Sequence, residues 1–193
     1  MSIKNVLVIL GHPDAETFTG SVADHYQAGA ESGGHMVERI NLGELQFDPI
    51  LHKGYKEIQQ LEPDLLAVQE KIAWADHLVI VYPNWWVTMP ALLKGFFDRI
   101  WLPGFVFNFN EDTKKVEQHL KGKTARVIVT SGTHGALATW WNYGDFTNEI
   151  QHGILGFAGI KSKVKIIGPC DRVDNACRID WMEDIEKLGA KAV

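Results

Sequence analysis

Two kinds of hydrophobic spacing alternate along the chain. Near-continuous apolar runs occupy residues 5–10, 77–82 and 125–130, with a shorter run at 163–167 and a more polar one at 36–42. Runs that are apolar at successive positions predict strands covered on both faces. Between them, helical spacing predicts helices over residues 19–32, 63–75, 90–101 and roughly 143–157, and a last one over 175–188. Thr17 and Thr19 are N-cap candidates for the first helix, Gly33-Gly34 stops it, and Pro90 suits the first turn of the third. Strands joined by helical crossovers imply a parallel sheet. Five such strands fit a doubly wound α/β arrangement of order 2-1-3-4-5, whose ligand crevice lies at the carboxyl ends of the strands flanking the switch point. The loops after the first, third and fourth predicted strands therefore carry the chemistry. Residues 43–61 and 103–122 are irregular and rich in turn formers and charges, and are predicted to be insertions within one domain, 1–193.

Composition narrows the function more than the fold. At 193 residues the chain has the length of one ordinary domain and can bury a core without staples. The net charge of −5 is scattered, so neither a nucleic-acid stripe nor a polybasic membrane patch can be assembled. No stretch is long and apolar enough to span a bilayer. Met1 to Asn5 lead straight into the first apolar run without a signal-peptide pattern, so a cytoplasmic protein is expected. Cys170 and Cys177 lack Cys-x-x-Cys or metal-ligand spacing and read as structural or surface thiols. No metal is called for. A small molecule is the expected partner.

The first loop, Gly11 to Ser21, ends in hydroxyl residues at a helix start. Unpaired N–H groups and the helix dipole favour an anion there, with Thr17, Thr19 and Ser21 as further donors and His12 as a hydrogen-bonding group. Ordinary capping by Thr19, with His12 as a polar loop residue, explains the same spacing equally well. The loop after the third strand, Tyr82-Pro83-Asn84-Trp85-Trp86-Val87-Thr88-Met89-Pro90, brings two large rings to the sheet edge. A flat isoalloxazine ring needs such an apolar platform together with amide donors and acceptors, although tryptophans also simply pack against neighbours. After the fourth strand, Thr130-Ser131-Gly132-Thr133-His134-Gly135 offers glycine-permitted turns whose N–H groups can face a ligand. Trp140-Trp141-Asn142-Tyr143 follow, placed to close a pocket or to meet a second subunit.

These residues resemble the flavodoxin-fold NAD(P)H:quinone oxidoreductase family, which includes DT-diaphorase and shorter bacterial quinone reductases. The resemblance covers most of the chain and is strongest in three blocks: His12-Pro13 with Thr17-Phe18-Thr19; Tyr82-Pro83 through Pro90-Ala91-Leu92-Leu93-Lys94-Gly95-Phe96-Phe97-Asp98-Arg99; and Gly153-Ile154-Leu155-Gly156-Phe157-Ala158-Gly159. It implies that His12, Thr17, Phe18 and Thr19 surround the flavin phosphate and ribityl chain. Pro83, Asn84, Trp85, Trp86 and Val87 would border the ring, and Thr130, Ser131, Gly132 and Gly135 its other edge. It further implies a homodimer with the flavin near the subunit interface, and ping-pong hydride transfer from NAD(P)H to a stacked, quinone-like acceptor.

The chain departs from that pattern in its relay residues and its length, and its phosphate loop, with Val22 where electron-carrier flavodoxins have another hydroxyl, departs from theirs. Better-known members carry a tyrosine and a histidine after the glycine loop that relay charge; the aligned positions hold Ala138 and Tyr143, which leaves Tyr143 and His134 as the catalytic candidates. The sequence also stops at Val193 without the C-terminal extension of larger members, so FMN is expected ahead of FAD. Two other functions fit the same resemblance: a flavodoxin-like electron carrier, which would favour a strongly acidic face, and a regulatory or ancillary subunit of a potassium-efflux system.

Overall fold

The computed structural model describes residues 2–132 and 147–193. Its strands and α helices are β1 (Asn5–Leu10), α1 (Phe18–Ser32), β2 (Met36–Asn41), α2 (Pro63–Trp74), β3 (His77–Pro83), α3 (Ala91–Ile100), β4 (Phe107–Asn110), β5 (Lys115–Gln118), β6 (Thr124–Thr130), β7 (Lys161–Ile167) and α4 (Asn175–Lys191), and all but β4 and β5 follow the hydrophobic pattern. Five strands form one sheet in the order β2-β1-β3-β6-β7. Every neighbouring pair in it is parallel, with Val6 opposite His77, His77 opposite Thr124 and Thr124 opposite Lys161. This is the predicted 2-1-3-4-5 order, with the switch point between β1 and β3.

Alternation along each strand explains why the runs are apolar throughout. Leu7 and Ile9 of β1, Leu78 and Ile80 of β3, and Val127 and Val129 of β6 face one way. They pack with Leu65, Val68 and Ile72 of α2 and with Leu93, Phe96 and Ile100 of α3. Val6, Val8, Val79, Val81 and Ile128 face the other way and meet Val22, Ala23 and Tyr26 of α1 and Ile185 of α4. On that second face α1 and α4 touch backbone to backbone. A Cβ on Gly29 would lie 2.2 Å from the carbonyl oxygen of Glu186, and one on Gly189 would lie 2.2 Å from that of Tyr26. Only hydrogen fits at either position.

Two segments differ from the sequence expectation. Residues 103–122 contain the antiparallel hairpin β4-β5, with Phe109 opposite Val116. Its strands are four residues each and largely exposed, too short and too polar to show a period. Phe107 secures it, with its ring 4.9 Å from and nearly perpendicular to that of Phe157. Within the helix predicted over 143–157, the described part is a π helix over Glu149–Gly156 rather than an α helix. The apolar spacing there fits either winding.

At the amino edge of the sheet, His77 is fully buried. Its Nε2 lies 3.1 Å from the Tyr26 hydroxyl and its Nδ1 lies 2.7 Å from the Thr124 hydroxyl. Burial first, then the nearby cations Lys4 and Arg126, push the imidazole down from its ordinary 6.5 to about 3. Burial likewise pushes the Tyr26 phenol up.

Candidate functional site

The loops after β1, β3 and β6 leave the sheet side by side at its carboxyl edge. Gly11 N–H donates to Val81 O at 2.8 Å, Asn84 N–H to Thr130 O at 2.7 Å, and Ser131 N–H to Ile167 O at 2.8 Å. Each loop's start is thus fixed to the neighbouring strand. The hydroxyls of Thr19 and Thr130 meet at 2.8 Å, both buried, and tie the first turn of α1 to the end of β6.

Around α1 the capping and anion readings prove compatible. Thr17 is the N-cap, and its Oγ1 accepts from Gly20 N–H at 3.1 Å. Thr19, the other cap candidate, lies inside the helix with its hydroxyl engaged by Thr130. The N–H groups of Phe18 and Thr19 make none of the hydrogen bonds found among the described residues, and no acidic side chain occupies the first turn. That helix end keeps its positive pole open. His12 Nδ1 accepts from Asp14 N–H at 2.9 Å, which leaves the ring proton on Nε2 and makes that atom a donor.

The loop after β3 is the most strained part of the site. Trp85 and Thr88 pair in both directions, Trp85 N–H to Thr88 O at 2.9 Å and Thr88 N–H to Trp85 O at 3.1 Å. The residues between them, Trp86 and Val87, have φ of 54° and 66°. Such a tight turn is ordinarily made by Asn and Gly, and left-handed backbone is costly for a β-branched residue. The turn holds the Trp86 ring in the open, 97% exposed, and sets Trp85 edge-on to His12 with ring centroids 5.3 Å apart. Beneath it, Asn84 Nδ2 reaches the Ser131 hydroxyl at 3.4 Å, whereas Asn84 Oδ1 is buried with no hydrogen-bond partner among the described residues. A buried acceptor of this kind is expensive unless a ligand or water satisfies it.

Pro83, Asn84, Trp85, Trp86, Val87, Thr130, Ser131 and Gly132 therefore lie at one edge with His12, Thr17, Phe18 and Thr19. His134, Gly135 and Tyr143 lie outside the described residues. Three contributors were missed from sequence. Arg178 of α4 places its guanidinium 5.7 Å from the centre of the Phe18 ring and donates to Cys170 O at 2.9 Å. Trp181 meets Phe18 edge-on at 6.4 Å. Glu149 accepts a hydrogen bond from the Thr88 hydroxyl. Arg178 and Trp181 stand three apart on one helix, which marks a shared face but not its target.

Comparison with known proteins places this edge in context. The sequence pattern of the flavodoxin-like fold family matches residues 4–168. The chain belongs to that family. NAD(P)H dehydrogenase [quinone] 1 of Rattus norvegicus is 26% identical over 185 residues, covering 83% of this chain and 67% of that protein. An uncharacterized NAD(P)H oxidoreductase of Haemophilus influenzae is 27% identical over 187 residues, covering 93% and 91%. Among solved structures, the NAD(P)H:quinone oxidoreductase from Methanothermobacter marburgensis superposes with a TM-score of 0.84 at 24% identity, over 98% of both chains. An FMN-dependent NADH-azoreductase from Bacillus anthracis, solved with FMN, superposes with a TM-score of 0.75 at 19% identity, over 98% and 99%. Relatives named NAD(P)H dehydrogenase [quinone] bear out the family resemblance read from the sequence. Among the described residues, no helix of this flavodoxin-like protein is long and apolar enough to cross a membrane.

Proposed function

We propose that the protein is a flavin-dependent NAD(P)H:quinone oxidoreductase that takes a hydride from NAD(P)H and delivers two electrons to a quinone or related flat acceptor, the two substrates using one site in turn. The observation that carries this reading is the strained Trp85–Thr88 turn, which holds an exposed indole beside the orphaned Asn84 carbonyl. A flavin fits these residues: its ring has an apolar face for Trp86 and an N–H edge for Asn84 Oδ1, and its phosphate suits the open end of α1. FMN is the preferred form. Bound flavin supplies the two-electron chemistry.

The chain's own residues bind and orient. The N–H groups of Phe18 and Thr19 and the His12 Nε2–H would donate to the phosphate, while Pro83, Trp85, Trp86 and Val87 would form an apolar wall. The backbone of Thr130, Ser131 and Gly132 borders the opposite edge. Gly135 joins them, and Tyr143 and His134 donate hydrogen bonds during transfer; these last three assignments rest on sequence. A homodimer completes the reading. It is supported by the exposed apolar side chains of Ile50, Tyr55 and Ile58 and by a cavity of about 330 Å³ that Tyr55 and Ile58 line with Leu102 and Pro103.

An anaerobic absorbance titration of flavin-reconstituted protein with NADH and NADPH, followed by a simple quinone, tests the proposal. Bleaching followed by rapid recovery is expected. Flavin binding without bleaching would favour the electron-carrier or regulatory function, and no flavin binding would overturn the proposal.

A further inference from the structure

We infer that Glu149 is a positioning residue for the aromatic turn, holding Trp86 and Val87 in their left-handed conformation through the Thr88 hydroxyl. The inference rests on the flavin reading of the site, but its structural half can be tested without flavin.

The turn needs an external restraint. Two consecutive residues with positive φ, one of them β-branched, do not hold a left-handed turn by local preference. The two backbone bonds between Trp85 and Thr88 close the turn from within, and the bond from Asn84 N–H to Thr130 O fixes only its start. His12 meets Trp85 only edge-on. The Thr88 hydroxyl, in contrast, donates to a carboxylate sixty-one positions away in sequence. A charged acceptor makes the stronger kind of hydrogen bond.

Glu149 is exposed, but the helix that carries it is anchored. It opens the π helix Glu149–Gly156, where the positive helix end favours a carboxylate. Trp101 Nε1–H donates to Ile154 O at 3.0 Å, and Ile150 and Leu155 are fully buried, so the helix is fastened to the core. Wide helical turns concentrate at functional sites. Here that winding carries the carboxylate that meets Thr88. The tie joins the turn after β3 to the segment before β7.

Hydrogen exchange of the Trp85 and Thr88 amides in apo-protein, and flavin affinity by fluorescence titration, test the inference with Glu149→Ala, Glu149→Gln and Thr88→Val. Glu149→Ala and Thr88→Val should each speed exchange at those two amides by about fivefold and weaken flavin binding by a similar factor. Combining them should add little, because both remove one bond. Glu149→Gln retains an acceptor oxygen without the charge and should fall between the parent and Glu149→Ala. Unchanged exchange in Glu149→Ala, or full additivity in the double variant, would overturn the inference. If the exchange effects appear but the parent binds no flavin, the flavin reading and the functional half of the inference fall together, while the structural tie stands.

Discussion

At the scale of single residues, the site stores its strain where a solvent-facing side chain gives nothing back to the fold. Trp86 is 97% exposed at a φ of 54°, so its indole contributes little packing while its backbone pays the left-handed penalty. Trp86→Gly should therefore raise stability by about 0.5–1 kcal/mol in urea denaturation, and should weaken flavin retention roughly threefold to tenfold. Opposite signs for the two quantities mark a residue kept for binding; equal flavin affinity in the variant would remove Trp86 from the site. Asn84→Leu makes the complementary case. It should fold at least as well as the parent in the absence of flavin, because it removes a buried acceptor without a described partner, and should bind flavin more weakly. Much of this site was legible in the sequence, because loops at a switch point are predictable and large rings stand out in them. Arg178 was not, because nothing in a seventeen-residue helix says which ring lies across the interface. Nor was the left-handed turn: Trp-Val is a poor sequence for it, and the conformation follows from its surroundings.

At the scale of elements, a buried arginine organises the long insertion after β2. Arg99 of α3 is fully buried. It donates to Glu62 Oε2 at 2.9 Å and Oε1 at 3.1 Å, to Gln60 O at 2.9 Å, and to Asp48 O. Burial opposes ionisation of Glu62, but the Arg99 bond and the Asp48 N–H together hold its carboxyl below the usual range. Arg99→Ala strands those acceptors and should cost about 3 kcal/mol in urea denaturation, the lower end of the range for a broken buried pair because Glu62 is 29% exposed. A loss below about 1 kcal/mol would mean that the segment stays in place without the clamp. The elements that the sequence revealed are those with a strong period. The five-stranded sheet and its flanking α helices came through because the central strands β1, β3 and β6 are buried on both faces, which leaves an unbroken apolar signature. The β4-β5 hairpin did not, because it is held from outside, by the Phe107–Phe157 ring contact and by Gln118 Nε2 donating to the carbonyls of Gly156 and Phe157, rather than by its own pattern. The π helix escaped because residues three, four and five apart all fall near one face.

At the scale of the whole molecule, the carboxyl edge carries the candidate chemistry and the amino edge carries a pH dependence. His77 binds a proton in the unfolded chain below about 6.5, and in the folded protein only near 3. Its burial therefore stabilises the fold fully above pH 6.5, and that contribution is lost as pH falls toward 3. Between pH 7 and pH 4.5 the parent should lose about 2–3 kcal/mol more than His77→Gln in denaturant titrations. Parallel losses would show that His77 does not govern acid sensitivity. The proposed homodimer is open to an equally direct check: sedimentation should give twice the chain mass, and a charged residue at Ile58 or Tyr55 should shift it toward the single-chain value. The glycine contact between α1 and α4 reaches further than packing. Where two backbones touch without side chains between them, there is no soft layer to absorb a displacement, so the helices shift as one plate. Phe18 lies at one end of that plate with Arg178 and Trp181 against it. A ligand that moves Phe18 must carry all three, and any side chain at Gly29, roughly 16 Å along the helix, would force the two helices apart and misalign that end.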